Sequence, residues 1–256
     1  MKHGDFTELA KEYVNRPGYS RNVLKMIGRS IGMDRRDFYV ADIGAGTGKL
    51  TEELVNLGIV GYAVEPNDAM REEGIRQFAN KGYKNFIWSN GTAEHTNLPS
   101  DTFDWVLMGS SFHWANTEEA LTEFHRILKP GGYFTAIYNP RDIEGNELQE
   151  RIEQIIYDTM PNLKRVSSGS KKNVGDIESK LLSTKYFGNL VFTEAPHIVT
   201  MNKDRYIGVW RSVNDIRVQA GEELFKQILE KICEIIQPYE KIIVPYRSRA
   251  WTVQAL

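Results

Sequence analysis

Cysteine is nearly absent: the chain of 256 residues carries one, Cys233. A single thiol excludes an internal disulfide framework and a cluster of cysteine ligands. Its setting, "LEKICEIIQPY", is a helical apolar position, which reads as a small core residue rather than a nucleophile or ligand. An excess of charge of one sign is missing too. The formal net charge of −2 offers no general attraction to nucleic acid or anionic lipid. No apolar run approaches the ~20 residues that span a bilayer, so no membrane partner is expected. The polar, acidic start "MKHGDFTELAKEYVN" lacks the pattern of a signal or transit peptide. A cytoplasmic protein without disulfides is the expectation. The five histidines are scattered with no zinc-ligand spacing, and no metal is expected. His3, His95, His125 and His197 sit in no motif and read as structural.

What is present suits a buried core, with 41% hydrophobic and 26% charged residues. The length allows one large α/β domain or two small ones. Helices are expected over roughly Phe6–Asn15 and Tyr19–Gly32, broken at Pro17. From Phe38 short apolar runs alternate with helical patterns: "FYVADI", "VGYAVE", "NFIWSN", "FDWVLM" and "GYFTAIY" as strands, with helices from near Thr47, Asn67 and Thr117. Such alternation argues for parallel strands joined by crossover helices. The organisation read from this is a single domain: an N-terminal helical cap segment over 1–35, a βαβ core over 36–140, and cap helices with the final strands over 141–256. In the last part "NELQERIEQIIYDTM", "VGDIESKLLS" and "GEELFKQILEKICEII" read as helices. "LVFTEAPHIVTM" and "KIIVPYRSRAWTVQAL" read as a hairpin-like pair of strands added to the sheet.

The stretch "VADIGAGTGKL" ends a strand in Asp42 and opens into Gly44, Gly46 and Gly48. A phosphate-binding P-loop would need glycine where Ile43 stands and a hydroxyl where Leu50 stands. A dinucleotide fingerprint would need its third glycine at Lys49. Asp42 would repel a pyrophosphate but suits a cationic ligand, such as the amino group and sulfonium of S-adenosylmethionine. Glycines let the backbone approach such a ligand closely. Glu65 ends the second strand 21 positions after Gly44 (65 − 44), where an acid grips ribose hydroxyls and opposes a 2′-phosphate.

These residues resemble the class I S-adenosylmethionine-dependent methyltransferases. "VADIGAGTGKLT" resembles their first motif, "AVEPNDAM" the acidic motif, and "SNGTAEHTNLPSDTFDWVLMGSSFHW" and "FHRILKPGGYF" the later strands. "FTELAKEYVNRPGYS", "SSFHW" and "VPYRSRAWTV" resemble a small-molecule subgroup that includes trans-aconitate methyltransferase-like proteins. The resemblance implies a Rossmann-like α/β sheet of seven strands, mostly parallel with the last antiparallel, flanked by helices and a helical cap. It implies methyl transfer with S-adenosyl-L-homocysteine as product. The Asp42–Gly48 loop, Ala45 included, would line the methionine and ribose; Glu65 would bind the ribose with Pro66 beside it; Ala93 and Glu94 would lie against the adenine; Ser110 and Ser111 would end the fourth strand at the sulfonium. Thr92 stands where many relatives have Asp, which shifts the adenine contact toward Ala93 or Glu94. The segment with Tyr13, Arg16 and Tyr19 folds over the cofactor, with Arg16 or Tyr13 in reach of the methionine carboxylate; a structural cap is the other reading.

The acceptor side is expected at the carboxyl end of the fourth strand, where open α/β sheets bind ligands. Phe112, His113 and Trp114 are pocket-wall candidates, with Tyr19. His113 reads either as a wall residue or as a base that takes an acceptor proton. Arg205, Arg211 and Arg217 in "DRYIGVWRSVNDIR" would suit a carboxylic acid acceptor if they point inward, Arg211 foremost. The alternatives are a cofactor-binding protein of this fold without turnover and an RNA methyltransferase. The latter needs a basic, aromatic stripe, whereas "SSGSKKN" around Lys171 is a short loop. The chain is expected to act on a small molecule, not nucleic acid, as a monomer or homodimer.

Overall fold

A computed structural model describes residues 6–165 and 175–256. His3 and the loop around Lys171 lie outside the described residues. Seven strands are described: β1 (Tyr39–Ile43), β2 (Val60–Val64), β3 (Phe86–Ser89), β4 (Phe103–Gly109), β5 (Leu128–Tyr138), β6 (Phe187–Met201) and β7 (Ile242–Ala255). They form one sheet in the order β3-β2-β1-β4-β5-β7-β6. The first five run parallel. β7 is antiparallel to both β5 and β6, as the terminal apolar runs suggested.

The helices are α1 (Ala10–Tyr13), α2 (Arg21–Ser30), α3 (Lys49–Asn56), α4 (Asp68–Asn80), α5 (Thr117–Ile127), α6 (Glu147–Thr159), α7 (Ile177–Leu181), α8 (Lys203–Arg211) and α9 (Asn214–Ile236). The crossover helices start where capping chemistry sits. The Asn67 side chain accepts from Met70 N at 3.1 Å and opens α4; Asn116 opens α5 above Glu118 and Glu119, acids that favour the positive N-terminal end.

Helices cover both faces of the core sheet, and β4 is accordingly buried along almost its whole length. One apolar cluster, with Phe103, Phe124 and Phe134, fills one face. A second, with Leu24, Leu54 and Trp105, fills the other. β6 and β7 outrun the core strands, and their far end meets α6, α8 and α9 in a third cluster around Trp210, Ile228 and Val244. That cluster makes the cap.

A short helical segment from Asn214 precedes the expected C-terminal helix, and Gly221, at φ +71°, is the break between the two, a conformation glycine adopts without strain. One expectation changes here. Cys233 is exposed rather than buried. The buried stripe of α9 runs Phe225, Ile228, Ile232, Ile235, Ile236, and Cys233, one residue from Ile232, is rotated off it.

Candidate active site

The carboxyl ends of β1, β2, β4 and β5 open into a cavity of about 930 Å³, near the upper end of the roughly 300–1,000 Å³ usual for small-molecule sites. It therefore has room for two reactants. Its first wall is the turn after β1. The N–H groups of Gly44 and Ala45 donate to Val64 O at 2.8 and 3.0 Å, which folds the turn onto β2. Gly44 and Gly46 have φ of +69° and +59°. At Gly44 a Cβ would stand 2.9 Å from Ser111 Oγ, so backbone rather than side chain faces the cavity.

Asp42 lines this end and is fully buried. Thr51 Oγ1 donates to its Oδ2 at 2.5 Å, while Oδ1 is buried with no partner among the described residues. Burial pushes its carboxyl up to about 7. Such a group gains most from a cationic donor that restores the charge and fills the empty acceptor. The zwitterionic amino-acid end of S-adenosylmethionine carries one. Glu65 is fixed by two amides: Gly46 N donates to Oε2 at 2.8 Å and Asn67 N to Oε1 at 2.9 Å. Burial raises its pKa. Each oxygen keeps a lone pair for a hydroxyl, so the pair of acids fits this cofactor's ammonium and ribose.

Pro66, Thr92, Ala93 and Glu94 continue the wall. Thr92 Oγ1 already accepts from His95 N at 3.1 Å, and Glu94 Oε1 accepts from Asn116 N at 2.8 Å. Ser110 and Ser111 follow β4. Ser110 has φ +56°, a strained conformation for a residue with a Cβ, held by Ser110 N donating to Ile137 O at 2.8 Å. Tyr19 also lines the cavity and donates to Ser110 Oγ at 3.0 Å.

The N-terminal segment crosses the cavity with Phe6, Tyr13 and Arg16 as lining. Asn67 Nδ2 donates to Thr7 Oγ1 at 2.9 Å. At the other end Arg16 donates from Nε to Ser212 Oγ and from a terminal nitrogen to Ser212 O, both at 2.8 Å. Its guanidinium lies 4.3 Å from the Tyr13 ring centre. Arg16 is thus a tether to the cap as well as a wall residue.

His113 and Trp114 line the cavity from the short turn Phe112–Trp114. The His113 ring lies 4.7 Å from that of Trp114, and its Nδ1 is buried without a partner among the described residues. Burial, helped by Lys180, lowers its pKa to about 4. His113 is neutral at physiological pH.

Three residues expected in the site stand elsewhere. Phe112 does not line the cavity; it packs in the core, 5.3 Å from the Phe134 ring. Gly48 lies behind the loop, capping α3 at φ +85°, where a Cβ would meet Phe78 at 2.6 Å. Arg211 is exposed and pairs with Glu12 at 3.8 Å, because it lies off the buried face of α8. Arg205 and Arg217 likewise go elsewhere, to Asn15 O and to Glu222.

Among the lining residues that sequence reasoning missed are the polar Lys49, Asn139, Arg141, Glu153, Arg165, Asn214 and Tyr246. Burial lowers the Lys49 pKa to about 8. Asn139, Pro140 and Arg141 follow the end of β5, and the strand-end rule alone would have nominated them. Among the structural histidines, His197 Nε2 meets Asn139 Oδ1 at 2.8 Å.

Residues 41–136 match a family described as a methyltransferase domain. An uncharacterized methyltransferase of Mycobacterium tuberculosis is 34% identical over 128 residues, 50% of this chain and 51% of the relative. The chain thus spans about half the length of the first curated relatives it matches. A candidate type II methyltransferase from Anaeromyxobacter dehalogenans shares the fold, with TM-score 0.61 and 19% identity, covering 94% of this chain and 97% of that one. A phosphoethanolamine N-methyltransferase of Haemonchus contortus, solved with S-adenosyl-L-methionine, has TM-score 0.50 and 15% identity, covering 93% of this chain and 53% of that one. Residues 41–136, which carry the glycine turn and the two acids, are thus similar to a methyltransferase domain, on a sheet whose fold solved methyltransferase-like structures share.

Proposed function

We propose that the protein transfers a methyl group from S-adenosylmethionine to a small molecule that carries a carboxyl group. The observation that carries this reading is the buried Asp42 side chain, whose Oδ1 has no partner among the described residues and which stands beside a backbone-lined turn. S-adenosylmethionine supplies a methyl group made electrophilic by the sulfonium. Asp42 receives the ammonium, Glu65 the ribose hydroxyls, and the stretch Thr92–Glu94 the adenine. Ser110 and Ser111 stand at the reacting end, and the N-terminal segment with Tyr13, Arg16 and Tyr19 helps to exclude water. Orientation and dry surroundings are what such an in-line displacement asks of a protein.

His113, neutral above a pKa of about 4, acts as a wall and hydrogen-bonding residue. The cationic Arg141 and Arg165 at the cap end of the cavity support an acidic acceptor, and a net charge of −2 favours a small molecule over RNA. The affinity to trans-aconitate methyltransferase-like proteins belongs to the same proposal.

Incubation with methyl-labelled S-adenosylmethionine and a panel of small carboxylic acids, trans-aconitate included, tests it. Labelled methyl product and S-adenosylhomocysteine in equal amounts are expected. Cofactor binding with no product from any acid, and product from a neutral acceptor instead, would remove the acid from the proposal.

A further inference from the structure

The cap end of the cavity holds polar groups that the cofactor half does not use. Arg141 projects from the chain just beyond β5, and its guanidinium carbon lies 3.7 Å from the centre of the Trp210 ring. Stacking of that kind fixes the plane of the fork and leaves its edge for a ligand. The ion contact of Arg141 is to Glu153 Oε1 at 3.6 Å, too long for a hydrogen bond. Glu153 is already claimed by Arg165, which donates to its two oxygens at 3.3 and 2.9 Å. Arg165 also donates to Asp215 Oδ2 at 3.2 Å. The carboxylates of this cluster are therefore spent mainly on Arg165.

Two further polar atoms stand on the same wall, on residues 3% and 6% exposed. The Tyr246 hydroxyl lies against the Arg141 guanidinium, with its own proton still to donate, and Asn214 Oδ1 is buried with no hydrogen-bond partner among the described residues. Both residues line the cavity with Arg141, and Arg141 forms a backbone bridge with Tyr246. A buried cation, a buried hydroxyl with a proton to donate and an open carbonyl oxygen are costly unless a ligand completes them.

We infer that Arg141 and Tyr246 form an anchor for a carboxylate of the methyl acceptor, one that is not itself methylated. The inference rests on the methyltransferase reading above and extends it. A carboxylate matches the bidentate fork and leaves an oxygen to accept from the Tyr246 hydroxyl, while Asn214 Oδ1, an acceptor, suits a donor group elsewhere on the same ligand. A dianionic phosphate would face Glu153 and Asp215 with only Arg141 to offset them, itself in ion contact with Glu153, so a monoanion is favoured. The register separates the anchor from the chemistry. Ile137 is level with Ser110, and Arg141 continues the β5–β7 ladder four residues further, about 13 Å along a strand. The anchor thus selects acceptors long enough to reach back toward Ser110 and Ser111.

Calorimetry on the full chain saturated with S-adenosylhomocysteine tests this, with acetate, succinate, glutarate and adipate as probes and glutaramide and inorganic phosphate as controls. Binding of at least one dicarboxylate is expected, with neither control binding comparably. Arg141→Gln should weaken it about tenfold or more while S-adenosylhomocysteine affinity stays within about twofold. Tyr246→Phe, which keeps the ring and the fold, should weaken it by a smaller factor. No acid binding at up to ~10 mM, a Kd scale near −2.7 kcal/mol, or phosphate binding better than every acid, would overturn the inference. So would an Arg141→Gln or Tyr246→Phe protein that binds the acid as the parent does. Failure of the initial saturation step would instead contradict the cofactor assignment, and titrating the acids into the free protein would still read the anchor.

Discussion

The Gly46 backbone N–H donates to Glu65 Oε2 at 2.8 Å, so the glycine turn after β1 and the acid after β2 hold each other. A second amide, Asn67 N, fixes the other carboxylate oxygen at 2.9 Å. The acid is therefore aimed before any ligand arrives, and it also supports the loop that a ligand would touch.

Glu65→Ala should weaken S-adenosylhomocysteine binding by about one to two orders of magnitude or more, since each hydrogen bond to a charged group is worth roughly 1.5–3 kcal/mol. It should also lower the unfolding midpoint, because two amide donors lose their acceptor. Calorimetry and thermal melting on the same sample read both. An affinity within about twofold of the parent in a folded variant would remove Glu65 from the ribose site.

Asp42 links the site to pH. Its carboxyl rises from 3.8 to about 7 by burial, so the free folded protein keeps a proton that the unfolded chain releases. Its contribution to stability is therefore lost as pH climbs between those two values. A bound ammonium favours the charged form, so cofactor binding near pH 6 should release up to about one proton per site. Binding enthalpies in buffers of different ionisation enthalpy measure that number. Asp42→Asn should release none, bind more weakly, and melt higher than the parent at neutral pH in the absence of ligand.

His113→Asn should act mainly on acceptor KM and leave the kcat–pH profile in place, because an imidazole lowered to about 4 is already neutral over the assay range. Steady-state kinetics between about pH 5.5 and 8.5 check it, bracketing the ordinary imidazole value of roughly 6.5. A fall in kcat of about 10²-fold or more, with loss of a pH limb, would make His113 a base.

Gly48→Ala tests the back of the loop. A Cβ there meets Phe78 at 2.6 Å and Trp88 at 3.1 Å, at φ +85°. The left-handed backbone and the overpacking together should cost about 2–4 kcal/mol in urea unfolding. A loss below about 0.5 kcal/mol, typical of a neutral surface change, would mean the loop has room to shift.

The core sheet was legible because its strands alternate with helical patterns and end in chemically distinctive residues: Asp42, Glu65 and Ser110 stand at the ends expected of them. The parts that were not legible depend on facing directions. Cys233 and Arg211 each lie within a turn of buried apolar residues, yet rotation along the helix turns both outward. Phe112 lies between Ser111 and His113, both of which line the cavity, and points into the core instead. The place of Arg141 just past β5 was open to the strand-end rule, but its grouping with Trp210 and Tyr246 was not, because they come from distant segments and only the folded cap brings the three together.

The measurement that bears most directly on the cofactor assignment is a set of calorimetric titrations of the full chain with S-adenosylhomocysteine, NAD and ATP. Binding of S-adenosylhomocysteine at one site per chain is expected, with no comparable binding of the other two, because the buried Asp42 repels a pyrophosphate and accepts an ammonium. NAD or ATP binding as tightly as S-adenosylhomocysteine would contradict it.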